Sequence, residues 1–96
     1  MASKLLERRL IETGQRLKQL RADLQVAEEQ LSHFSDDADD ARIKSLVSET
    51  PLAGKELREA SKHAESMRRH RNSLLREILK VETLQDELLD QMAAEK

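Results

Sequence analysis

The chain has no cysteine, no tryptophan and no tyrosine, and its 96 residues include one phenylalanine, one proline and two glycines. Each shortage removes a class of protein. Without cysteine there is neither a disulfide framework nor a thiolate metal site. With Phe34 as the only aromatic residue, the rings that favour strands and those on which nucleic-acid bases stack are nearly missing. So few turn formers leave little material for the frequent short loops of a sandwich or barrel. The opening stretch MASKLLERRL meets charge within a few residues, so it has no apolar signal-peptide core. No run approaches the roughly 18 apolar residues that a membrane span needs. These absences predict a cytoplasmic protein with no membrane partner. A net charge of −2 gives bulk electrostatics no preference for nucleic acid or an anionic membrane.

What the sequence does have is charge, at 38% of the residues, arranged around apolar ladders. That composition belongs to long helices and coiled coils. Taken at alternating steps of three and four, the stretch after Pro51 gives Leu57, Ala60, Ala64, Met67, Arg71, Leu74, Ile78, Val81, Gln85, Leu88 and Met92. This heptad seam predicts one long helix over about 51–93. Thr50 is placed to cap it, with Pro51 at the first helical position.

The first segment carries a cleaner ladder: Leu6, Leu10, Thr13, Leu17, Leu20, Leu24, Ala27, Leu31 and Phe34. It predicts a helix over about 3–34, capped by Ser3 and continuous through Gly14 because the ladder keeps its phase there. After Phe34 a phase change is expected. Ser35 reads as a new cap and Asp36 and Asp37 as the acidic first turn of a short helix over about 36–47, ended by Ser48, Glu49 and Thr50. The expected fold is all-α, a single elongated domain over 1–96. It is an antiparallel helical hairpin, a coiled coil, with a short third helix at the turn that covers the overhang of the longer last helix.

Leucines outside the two seams carry the functional expectation. Leu5 and Ile11 flank the first seam, and Leu75, Leu79, Leu84 and Leu89 flank the second, so the apolar arc there is wider than a two-stranded coiled coil uses. These six residues are the candidate interaction face. Their occupant is expected to be a second copy, giving a four-helix bundle, or the amphipathic helix of a heterologous helical protein. The function read from this is a non-enzymatic adaptor, assembly or regulatory module.

Other runs are weighed against that reading. Arg68, Arg69 and Arg71 form a candidate anion or nucleic-acid contact, although consecutive residues point all round a helix and glutamates lie within pairing reach. Asp36, Asp37, Asp39 and Asp40 make an acidic turn that lacks the glycine and distal glutamate of a calcium loop. A small regulator of transcription or another nucleic-acid process, using the acidic turn at 36–40 or the basic run at 68–71, is the alternative function. Arg71 and Gln85 are the polar members of the second seam and are expected to fix register. His63 and His70 stand about 10 Å apart along a helix, too far to share one zinc. No nucleophile with a base, no phosphate loop and no pocket for a small-molecule substrate is indicated, so neither a cofactor nor an enzyme activity is expected.

Overall fold

A computed structural model describes residues 2–95, and these form two long helices and no strand. Helix α1 spans Ala2–Ser48 and helix α2 spans Pro51–Ala94, separated by Glu49 and Thr50. The chain is an all-α helical hairpin. Its seams account for it residue by residue. With seam positions labelled a and d of a heptad, every one from Leu6 to Ser45 in α1 and from Ala53 to Met92 in α2 is buried or half-buried.

The expected break after Phe34 is not present. The 3.5-residue ladder continues in phase through Ala38, Ala41 and Ser45, all buried or half-buried, so α1 runs on to Ser48 and residues 36–47 form no separate helix. These seam residues are too small to stand out in an apolar count. Ile43, Leu46 and Val47, the large aliphatic residues of this stretch, are out of phase and lie exposed. Asp36 and Asp37 cap nothing: both sit on the exposed surface of α1, where Asp37 lies 3.5 Å from the His33 imidazole one turn back. With 47 and 44 residues the helices are nearly equal in length, so no overhang needs covering. Ser3, expected as a cap, lies one residue inside α1.

The break between the helices uses two local devices. Glu49 takes a left-handed backbone, φ 48°, and its amide donates to the Ser45 carbonyl at 3.0 Å, closing the last turn of α1. A side chain in that region costs about 1 kcal/mol. Thr50 then caps α2: its Oγ1 accepts from the Ala53 amide at 3.1 Å and its carbonyl from the Gly54 amide at 3.1 Å. Pro51, which has no amide hydrogen, occupies the position where one would be unpaired.

The hairpin comprises two compact units. In the first, residues up to Leu24 pack against those from Leu74 onward, around a cluster of Leu17, Leu20, Ile78 and Val81 with Leu24 and Leu74 against it. Burying each such aliphatic side chain contributes roughly 1.5–3 kcal/mol. Thr13, the buried polar seam residue, donates its hydroxyl to the Leu10 carbonyl at 2.9 Å and so is satisfied within its own helix. The second unit, Gln25–Ser73, contains the turn and buries Ala27, Ala38, Ala53 and Ala64. There Phe34 stacks on the His63 imidazole, ring centroids 5.7 Å apart, and Lys44 pairs with Glu56 at 3.1 Å.

One substitution in each unit tests this account. A Cβ added at Gly14 meets nothing within 4 Å, so Gly14→Ala is expected to raise stability by about 1 kcal/mol through helix propensity. Thr50→Ala removes the α2 cap and is expected to lower it by about 1 kcal/mol. Urea unfolding followed by helical circular dichroism reads both, and equal midpoints for the two variants would contradict the assignment.

Candidate interaction surface

The seams occupy positions a and d, and large aliphatic residues elsewhere on the heptad stay partly exposed. The six expected at the interaction face are all in the first unit and all between 43% and 65% exposed. Heptad geometry divides them. Ile11 and Leu79 take b positions and Leu75 and Leu89 take e positions, which places these four on one flank, the side on which Arg21 and Glu82, both at e, pair at 3.2 Å. Leu5 and Leu84, at c and g, belong to the opposite flank. Leu84 lines a shallow groove of about 380 Å³ there with Val81, Leu88 and Thr13, edged by Arg9, Glu12 and Arg16. The six therefore fall on two flanks, and the one with more of them carries Ile11, Leu75, Leu79 and Leu89.

The basic run does not gather into one site. Arg68 pairs with Glu65 one turn back. Arg71 is half-buried on the seam and donates its Nε to the Asn72 side-chain oxygen at 2.9 Å. Arg69 alone of the three is exposed without an ion pair among the described residues. Gln85, the other polar seam residue, is half-buried. The acidic run divides on α1: Asp37 lies beside His33, while Asp39, on the same side of the helix as Asp36 and Asp40, is 3.3 Å from Arg42. His63 is engaged with Phe34, and no group of three or more acidic or histidine side chains among the described residues is placed to hold a metal ion. No described helix is long and apolar enough to cross a membrane.

A further group escaped the sequence reading. Ile43, Leu46, Val47 and Leu52, all in the second unit, are 62–80% exposed, more than the flank residues of the first unit on the whole. The signal that identifies them is the heptad phase carried past Phe34, which puts Ile43 at f, Leu46 at b and Val47 at c, away from the seam. No family model, no curated protein and no solved structure matches this chain.

Seam and flank differ in what they contribute to folding. Leu20, 2% exposed, is expected to cost about 3 kcal/mol or more on replacement by alanine. Leu79→Ala, at a position 65% exposed, is expected to change stability by less than about 0.5 kcal/mol. Denaturant titration of the two variants checks this, and a large loss for Leu79→Ala would mean that the flank is part of the fold.

Proposed function

We propose that the protein is a non-catalytic protein–protein interaction module that assembles through the Ile11, Leu75, Leu79 and Leu89 flank of its first unit. The observation that carries this reading is four large aliphatic side chains sharing one flank of a hairpin whose seams are already filled. Exposed aliphatic surface of this kind is unfavourable in water, which supports reading it as an interface. A second copy is the occupant that fits best. The exposed b positions of this flank include Lys18 on α1 and Asp86 on α2, and in a twofold arrangement the cation of one copy can meet the anion of the other. Two hairpins laid together in this way make a four-helix bundle. Arg71 and Gln85, half-buried on the seam, then serve to hold register within each hairpin. The nucleic-acid reading has weaker support, because Arg68 is engaged by Glu65 and Arg71 by Asn72, and Arg69 is the one arginine of the run without such a partner among the described residues.

Light scattering across a concentration and salt series tests the proposal. The wild type is expected to approach twice the 11.0 kDa chain mass, and Leu79→Glu to return it to a single chain with its helical dichroism intact. The association should be largely insensitive to salt, as burial of apolar surface is. A wild type that stays at the single-chain mass, or a Leu79→Glu variant that still doubles, overturns the homodimer.

A further inference from the structure

Ile43, Leu46 and Val47, exposed on α1 in the second unit, fall into a pattern with the aspartates that precede them. At 3.6 residues per turn, Asp36, Asp39, Asp40, Ile43, Leu46 and Val47 all lie within an arc of about 120° on the face of α1 opposite its seam. One stripe thus presents an acidic turn followed by an aliphatic turn, their centres roughly 10 Å apart along the helix. All six side chains are exposed, and Ile43, Leu46 and Val47 reach 62%, 72% and 80%. Nothing local calls for them: isoleucine and valine are weaker helix formers than the alanine, lysine or glutamate common elsewhere on this surface. Of the cations of the segment, Lys44 is bound to Glu56 away from the stripe, and Arg42 compensates Asp39 at its edge. Asp36 and Asp40 make no ion pair among the described residues.

We propose that this stripe is a docking site for a basic amphipathic helix of another protein, one that sets a lysine- or arginine-bearing turn against Asp36 and Asp40 and an aliphatic turn against Ile43, Leu46 and Val47. Charge complementarity selects that occupant. The aspartates repel nucleic acid and anionic lipid, which a bare aliphatic patch would not discriminate against. A second copy of the stripe does not fit either. Laid parallel it sets aspartate against aspartate, and laid antiparallel it sets aspartate against isoleucine, leucine and valine, so carboxylates are desolvated without a partner. A helix lying in register supplies cations to the first turn and apolar surface to the second, which is the usual pattern of a helical peptide recognised by an apolar surface with a charged rim. The site is independent of the flank in the first unit and stands whether or not the chain dimerises.

Fluorescence polarisation with designed helical peptides of about four turns tests it. One probe carries lysine and arginine in one turn and leucine in the next turn of a single face, and its partner has those cations replaced by glutamate. The wild type is expected to bind the cationic probe in a salt-sensitive manner and not the anionic one. Leu46→Ser, and separately the pair Asp36→Lys with Asp40→Lys, should each weaken that binding about tenfold or more. The charge-reversed pair should in turn bind the anionic probe, a rescue that an unfolded variant could not give. Failure to bind either probe, equal binding of both, or binding that survives Leu46→Ser overturns the proposal. So does a wild-type self-association that Leu46→Ser abolishes in light scattering, or adhesion to anionic vesicles that depends on Leu46.

Discussion

The heptad phase is the constraint on which the rest of the structure depends. An α-helix has 3.6 residues per turn, and an apolar repeat of 3.5 holds one face toward a partner only if no residue is inserted or skipped. In α1 the phase is kept from Leu6 to Ser45 and in α2 from Ala53 to Met92. The hairpin tolerates Gly14, Thr13, Arg71 and Gln85 along the way because none of them changes the count. It turns where the count ends: the seam stops at Ser45, Glu49 leaves the helical region, and Thr50 and Pro51 start the second ladder afresh.

The same seam is filled differently in the two units. In the first it is built from Leu17, Leu20, Ile78 and Val81, large enough to bury substantial apolar area. In the second much of it is alanine, at 27, 38, 53 and 64. An alanine seam lets helices approach closely but removes less surface from water, so this unit depends more on local terms: the strong helix propensity of alanine, the Thr50 cap, and the Phe34 and His63 stack. Exposed ion pairs such as Lys44 with Glu56 add at most about 1 kcal/mol each. Local stability is thus expected to be lower where the seam is small.

These facts explain which parts of the fold were legible in the sequence. The two long ladders were, because leucine at a and d is a strong periodic signal, and so was the restart at Thr50 and Pro51, because a cap followed by proline has a direct hydrogen-bonding cause. The continuity of α1 through 35–48 was not. Its seam there is Ala38, Ala41 and Ser45, too small to carry a ladder by eye, while the larger aliphatics lie out of phase with it. Ser35, Asp36 and Asp37 reinforced the error, since the residues that favour a helix start are equally at home on the outside of a helix that never stops. Of the candidate surface, Leu5, Ile11, Leu75, Leu79, Leu84 and Leu89 were legible as off-seam residues. Their division between two flanks needed heptad letters rather than a list of leucines.

A misplaced phase also hid what is chemically most distinctive about the turn unit. Once 36–47 is one continuous helix, the four aspartates are no longer a cap competing for backbone amides. Three of them become the upper half of an outward stripe whose lower half is isoleucine, leucine and valine. Charge and apolarity usually occupy opposite faces of a helix, one for water and one for the core. Here they are stacked along the same face, and the core face is supplied separately by small residues. The basic run at 68–71 is the contrary case. Its charges are as dense, but consecutive numbering scatters them round α2, and two of the three arginines are taken up singly, Arg68 by Glu65 and Arg71 by the seam and Asn72. Density of like charge along the sequence is therefore a poor guide to a binding surface. Spacing at three and four residues brings Asp36, Asp39 and Asp40 to one exposed side, whereas Arg68 and Arg71, also three apart, are drawn off by Glu65 and by the seam.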